Sequence, residues 1–446
     1  MENIKKLQVK CVGINDFGQG EAFLDKKKKI VIPYMLPKEL GTIEYDKYTE
    51  RCKLIRLEKE SNIREKPKCD IYQKCGSCQL LHMRYQEQLN FKKDLVNRLF
   101  KEEKIPFSFK EILESEKKSA YRNKMQVAYK LNKDQKIVYG FYEEDSHKVI
   151  PLDTCLNQSN YQNEIAHAIA LIMRELRIAP YNEDKRIGVI RFALIREAFK
   201  TNQILVTIVT NGEMFPARSE FVKRLRARCP YVTTIIQNYN SRKTSIILGD
   251  TERVLYGDGF IEDYLCGIKF NISSKTFYQI NPLQAERLYN KVSEFGEFTK
   301  DDVVVDAYCG VGTIGMSVAD KVKHVIGVEN NKNSVQCAKM NANLNKIKNV
   351  EFVLDDATDY LVKLAKNNAK IDALIMDPPR SGSTVNFLES VKKLKPKKVI
   401  YVSCDPHTLV RDLKTLLTDY SITNGALVDM FVGTYHVECV VCLERR

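Results

Sequence analysis

A chain of 446 residues, 44% of them hydrophobic, is long enough to bury full cores, and its length corresponds to about three domains. Its formal charge of +14 favours a polyanionic partner, nucleic acid before a membrane surface, because clustered Lys and Arg release the counterions of phosphate. No apolar run approaches the ~18 residues of a membrane span, and the start "MENIKKLQVK" lacks the apolar stretch of a secretion signal, so a cytoplasmic protein without membrane association is expected.

Residues 1–60 alternate apolar and polar in short runs, "LQVKCVGI", "GEAFL", "KIVIPYML" and "RCKLIRLE", punctuated by Gly, Pro and Lys. This predicts a small β-barrel of OB-like type. The run Lys26 to Lys29 is either a phosphate contact or a solvated hairpin tip. The charged stretch "EKESNIREKPK" reads as a linker, and "MRYQEQLNFKKDLVNRLFKEEK" carries Tyr85, Leu89, Val96 and Leu99/Phe100 at a helical period. From about 120 to 268, the runs "KMQVAYKL", "VIRFALIREAF", "QILVTIVTNG" and "TSIILGD" predict strands and "NEIAHAIALIMREL" one helix. Residues 61–268 therefore form an α+β middle domain. From about residue 285, within a last domain over residues 269–446, short apolar strands alternate with amphipathic helices, the pattern of a doubly wound, Rossmann-like parallel sheet. Ligands of such sheets bind at the carboxyl ends of strands.

Four such ends carry the cofactor signals. "VVVDAYCGVGTIG" leads from a strand into a turn with Gly310, Gly312 and Gly315 in G-x-G-x-x-G spacing, and the next strand ends in Glu329, suited to a pair of ribose hydroxyls. NAD and S-adenosylmethionine (SAM) both fit this much. SAM is favoured by Asp306, a carboxylate that would meet its ammonium group and repel a pyrophosphate, by Asp356 as acceptor for an adenine amino group, and by the rigid turn "DPPRSG" from Asp377.

The fifth strand, "KKVIYV", delivers Cys404 beside the expected methyl donor. Uracil C5 is too weak a nucleophile to attack SAM, but a thiolate adding to C6 turns the ring into an enolate with a nucleophilic C5. A base must then remove the C5 proton before elimination. Glu438, entering the last apolar strand, is the preferred base, with Asp377 and His436 as weaker choices. The thiol is expected to be acidified by the helix start in "PHTLVRD" or by Arg380 or Arg411, with Asp405 working against this.

Thirteen cysteines in a reducing compartment divide between buried thiols, ligands and reactive groups. Cys11, Cys52, Cys229, Cys266, Cys337, Cys439 and Cys442 are scattered and read as small buried residues. Cys69, Cys75 and Cys78 stand in C-x5-C-x2-C spacing, and Cys155 in "PLDTC" offers a fourth thiolate. Zinc and an iron-sulfur cluster are equally served by four thiolates, although a lone C-x2-C departs from the usual zinc spacing.

"DAYCGVGTIG", "DPPRSG", "YVSCDP" and "DMFVGTYHVECVV" together resemble the bacterial RNA uracil-C5 methyltransferases, and the likeness runs through nearly the whole chain. Residues 1–60 are similar to a TRAM domain, with Pro37, Lys38 and Glu39 in place of its usual Pro-Gly-Glu. The resemblance implies a class I SAM-dependent methyltransferase domain over residues 269–446, Cys404 as nucleophile and Glu438 as base. It also implies Gln279, Tyr308, Thr313, Glu329, Asp356 and Asp377 as contacts to SAM and uracil. A TRAM domain with a cysteine cluster resembles the 23S ribosomal RNA branch, which implies a [4Fe-4S] cluster on Cys69, Cys75, Cys78 and Cys155. The partner implied is 23S rRNA, methylated at a uracil of the 1939 type with a second site allowed. Transfer RNA is the alternative substrate, a noncatalytic RNA-binding assembly factor the alternative class, and nothing calls for an obligate protein partner. The family often has Asn where Asp405 stands, and Phe and Asn where Tyr308 and Thr313 stand.

Overall fold

A computed structural model describes residues 4–24, 27–143, 146–243 and 246–446. At the N-terminus, Ile4–Lys10, Leu40–Asp46 and Cys52–Lys59 form one antiparallel sheet, and Gly13–Ile14, Gly20–Leu24 and Lys28–Ile32 another. Their period-2 alternation turns Val9, Ala22, Ile32 and Ile43 into one small core, which Met35 joins from the turn after Ile32. Lys28 pairs with Glu50 at 2.5 Å and Lys29 with Glu21 at 2.7 Å, so these two members of the lysine run are engaged with acids; Lys26 lies outside the described residues. The segment expected as a linker is tethered. Arg64 donates to buried Glu39 at 2.5 Å and to the Tyr34 carbonyl at 2.8 Å.

The middle sheet has seven strands in the order Val149–Pro151, Ile137–Tyr142, Lys124–Leu131, Ile190–Glu197, Ile204–Thr210, Val232–Tyr239, Thr251–Tyr256. Two helices, Asn160–Glu175 and Arg218–Arg228, share its hydrophobic core, where one was expected. The second crosses between the parallel pair Ile204–Thr210 and Val232–Tyr239, and it buries only Phe221 and Leu225, too sparse a stripe to stand out among its basic residues. The run expected as a strand at 244–250 is not one over its described residues 246–250; the strand begins at Thr251.

The last sheet runs Val350–Leu354, His324–Glu329, Val303–Ala307, Ala373–Met376, Lys398–Ser403, Glu438–Arg445, Tyr420–Val428, Ile112–Leu113. Its first five strands are parallel, and Glu438–Arg445 is antiparallel to both neighbours. Order reverses between Val303–Ala307 and Ala373–Met376, the crevice where doubly wound sheets bind ligands. The helix Tyr85–Glu102 also packs into this domain's core through Leu95, Val96, Leu99 and Phe100, so the stretch after the linker braces the last sheet, not the middle one. No helix among the described residues is long and apolar enough to cross a membrane.

Candidate active site and cysteine cavity

A cavity of about 810 Å³ opens at the reversal point, lined by Gln279, Tyr308, Thr313, Glu329, Asp356, Asp377, Cys404 and Glu438 together. Backbone geometry explains the convergence. Tyr308, Asp377 and Cys404 each follow directly on a parallel strand, and Glu329 ends one. Ser403 pairs with Cys439 across antiparallel strands, which puts Glu438 beside Cys404 although 34 residues separate them.

The glycine turn is held from two sides. Gly310 has a φ of +56°, and a Cβ there would meet no atom within 4 Å, which leaves the turn open toward the cavity. Glu329 accepts from the Gly310 N–H at 3.1 Å through one oxygen and from Asn331 N–H at 2.7 Å through the other. Tyr308 takes a φ of +64°, costly for a residue with a Cβ, and its ring packs on Phe387 at 5.4 Å. Thr313 opens a helix and meets the Tyr289 hydroxyl at 3.1 Å, and the Gln279 carbonyl accepts from Asn123. Asp356 caps its helix by accepting from Thr358 and Asp359.

Asp306 departs from expectation. It is buried, does not line the cavity, and accepts the Gly315 N–H at 2.8 Å through one oxygen, which locks the glycine turn from below, while its other oxygen has no hydrogen-bond partner; burial raises its carboxyl to about 7. Arg411 departs too, being turned away onto Asp412 and the carbonyls of Ser381 and Ser383. Asp405 has a structural task. Its carboxylate caps the helix Pro406–Leu416 by accepting the His407 N–H at 2.9 Å.

The reactive groups are electrostatically coupled. Burial raises the Glu438 carboxyl to about 8, aided by Asp377 and opposed by Arg380, and burial alone raises Asp377 to about 7. Contrary to an acidified thiol, burial pushes Cys404 up to about 12, and Glu438 and Asp377 add to the rise while Arg380 opposes it. His436, lowered to about 4 by burial and by Arg380, stands 3.5 Å from the Arg380 guanidinium. Its neutral ring suits shape and stacking more than proton transfer.

Sequence reasoning passed over the support beneath this site. Lys92 fills the gap in the apolar stripe between Leu89 and Val96, fully buried, and donates to Asp429 at 2.5 Å and to the Phe431 carbonyl at 3.0 Å. Tyr85 donates to the second Asp429 oxygen, and Gln284 to its carbonyl. Together they fix the loop before Glu438, which carries Phe431 and His436 into the cavity. A lysine at a core position of the helical stripe was the available signal.

A second cavity, about 230 Å³, is lined by Cys69, Cys75, Cys78 and Cys155 together with Arg122 and Lys124. Asn157 donates to the Cys78 sulfur at 3.2 Å. Burial raises the Cys78 thiol to about 12 and that of Cys155 upward, and burial with Arg196 and Arg122 lowers Lys124 to about 8. Among the described residues, no group of three or more His, Cys, Asp or Glu is gathered closely enough to hold a metal ion. Of the scattered thiols, Cys52, Cys266 and Cys337 are only half-buried.

A sequence profile of the tRNA (uracil-5-)-methyltransferases matches residues 84–446. Among relatives, an uncharacterized RNA methyltransferase of Clostridium tetani is 38% identical over 91% of this chain and 88% of its own length. One of Staphylococcus epidermidis is 36% identical over 100% of this chain and 99% of its own. Among solved structures, the Pyrococcus abyssi tRNA (uracil-54, C5)-methyltransferase in complex with S-adenosyl-L-homocysteine is 28% identical. It superposes with a TM-score of 0.79 over 98% of this chain and 100% of that one.

Proposed function

This chain belongs to the tRNA (uracil-5-)-methyltransferase family and is a SAM-dependent RNA (uracil-C5)-methyltransferase, and from that premise we propose that it acts on 23S rRNA with Cys404 as nucleophile and Glu438 as base. The observation that carries the catalytic assignment is the adjacency of Cys404 and Glu438 across paired strands at one cavity. SAM fits the donors present: Glu329 for ribose hydroxyls, Asp356 for the adenine amino group, and Tyr308, Thr313, Gln279 and Asp377 around the remainder and the uracil. When bound, SAM supplies an electrophilic methyl group.

The Cys404 thiolate forms a bond to uracil C6 and pushes the ring electrons to C5 and O4. After C5 acquires the methyl group, the Glu438 carboxylate takes the C5 proton, and the electron pair left behind re-forms the C5–C6 double bond as the Cys404 sulfur departs. Glu438 must be ionised for this step. Arg380 is the cation in the cavity that favours both charged forms. A target base within folded RNA must be flipped out to reach this depth, at an unstacking cost of a few kcal/mol.

The proposal extends to the other domains: a TRAM-like, OB-like RNA-binding module over residues 1–60, a middle domain over 61–268, and the methyltransferase domain over 269–446. It also places a [4Fe-4S] cluster on Cys69, Cys75, Cys78 and Cys155. The donor chemistry fits such a group, since among the described residues four sulfurs and no carboxylate or imidazole line that cavity, and Arg122 and Lys124 would offset its negative charge.

A tRNA substrate is the second reading, favoured by the P. abyssi tRNA enzyme, whose structure matches 98% of this chain, N-terminal module included. The two readings separate by experiment. Protein and SAM are incubated with 5-fluorouridine-containing 23S rRNA and tRNA transcripts, and adducts are resolved on a denaturing gel. A stable adduct with the 23S transcript, absent in Cys404→Ala, is expected; an adduct with tRNA alone reverses the substrate. No adduct, or one that survives the substitution, removes the mechanism.

A further inference from the structure

The mouth of the catalytic cavity is shared with the N-terminal module. A smaller cavity of about 90 Å³ is lined by Asp16, Phe17 and Tyr435 and shares Arg380, Cys404 and His436 with the large one. Across it runs a file of rings. Phe17 meets Tyr435 edge to face at 5.5 Å, Tyr435 lies tilted by 42° against His436 at 4.3 Å, and His436 meets Phe431 at 6.0 Å inside the catalytic cavity. Phe17 is 53% exposed, an unusual position for a phenyl ring this close to a reacting group.

The loop that carries it is fixed. Asn15 accepts the N–H groups of Phe17 and Gln19 at 3.0 and 2.9 Å, and Asp16 pairs with Arg98 at 2.6 Å and with His407 at 3.3 Å. Gly18 has a φ of +75°, and any Cβ there would stand 2.3 Å from the Leu80 side chain, whose backbone N–H in turn bonds to the Gly433 carbonyl. The exposed ring is therefore held in place against the catalytic domain.

We propose that Phe17 and Tyr435 form a stacking step for the nucleobase directly next to the target uridine, so that the N-terminal module takes part in substrate binding at the catalytic mouth. This rests on the RNA-methyltransferase reading. Once the target uracil is flipped into the cavity, its neighbour loses a stacking partner, and an exposed, immobilised aromatic ring replaces that partner without reading its identity. Arg380, common to both cavities, lies where the connecting phosphate passes.

The test uses a fluorescein-labelled 12-nucleotide single-stranded RNA with one uridine among adenosines, bound in the presence of S-adenosylhomocysteine and followed by anisotropy. Phe17→Ala weakens binding about tenfold while Phe17→Tyr retains it, with unchanged thermal melting in both. An abasic site directly 5′ or 3′ of the uridine weakens binding to the wild-type protein by a similar factor and costs the Phe17→Ala protein nothing further. Full affinity in Phe17→Ala, or losses that multiply for both abasic positions, overturns the proposal. Failure of the methyl-transfer reading is seen separately, as no covalent adduct with the 5-fluorouridine version of the same oligonucleotide.

Discussion

The catalytic cavity and the cysteine cavity hold thiols with the same proton affinity and opposite surroundings. Burial drives both Cys404 and Cys78 to about 12. Among the described residues, three carboxyls, Glu438, Asp377 and Asp405, stand around Cys404 with the Arg380 guanidinium; around Cys78 stand three further cysteines, two cations and an amide N–H aimed at its sulfur. A thiol next to a base can add to a carbon and leave again, whereas thiols beside further thiols and cations are the surroundings of the proposed cluster. The neighbours, and not the acidity of the thiol, separate the two roles proposed above.

The widest separation between the two cavities is expected from exchanging their key groups. Cys404→Ala abolishes methyl transfer and adduct formation in a radiolabelled methyl assay, with iron content unchanged; Cys155→Ser loses iron and its brown colour in anaerobically purified protein. Residual transfer within tenfold of wild type in Cys404→Ala breaks the comparison. Glu438→Gln slows turnover about 10²- to 10⁴-fold and traps a methylated covalent adduct with ordinary uridine RNA, visible on a denaturing gel, because the C5 proton has no acceptor.

Next in size is the support beneath the active site. Lys92→Met leaves Asp429 buried without its cation and costs about 3–5 kcal/mol in denaturant unfolding, and adding Asp429→Asn recovers part of it. A cost near zero would mean that the pair does not hold the loop.

The carboxyl pair gives a pH signature that falls below that of the cysteine cavity, where Lys124 is lowered to about 8 and Cys78 raised to about 12. Glu438 and Asp377 bind protons more tightly in the folded chain, at about 8 and about 7, than their ordinary values of 4.5 and 3.8. Their contribution to stability is therefore present in full below about pH 4 and is lost as pH rises toward 8, by roughly 3–5 kcal/mol for Glu438. Glu438→Gln, slow in turnover, is then more stable than wild type at pH 8 and equal to it at pH 4 by thermal melting without ligand. The smallest effect belongs to Asp405. Asp405→Ala removes a helix cap for about 1 kcal/mol, and Asp405→Asn, which also caps, costs less.

Much of the site was legible because its residues sit at strand ends, and strand ends can be read from apolar runs and the polar residues that stop them. "DAYCG", "MDPPRSG" and "YVSCDP" each announce a carboxyl end, and the eight residues that the resemblance implied for SAM, uracil and catalysis line one cavity. Asp306 was misread for the same reason in reverse. It also ends an apolar run, but Gly315 turns back over it and takes its carboxylate, a contact nine residues away that no local pattern encodes. Arg411 faced the wrong way because a helical position does not say which neighbour a long side chain chooses.

The sequence by itself determined the kinds of chemistry available: a glycine turn before a helix, a thiol after a buried strand, a carboxylate entering the last one, and four clustered or near-clustered cysteines. Local backbone preference and apolar periodicity are short-range, so they survive in a linear string. Only the tertiary structure decided which of these groups meet. The pairing of Ser403 with Cys439 brings Glu438 to Cys404, Lys92 reaches Asp429 across 337 residues, and Phe17 arrives at the mouth of the large cavity from the other end of the chain. Such meetings depend on sheet register and on burial at long sequence separation, which are properties of the packed molecule.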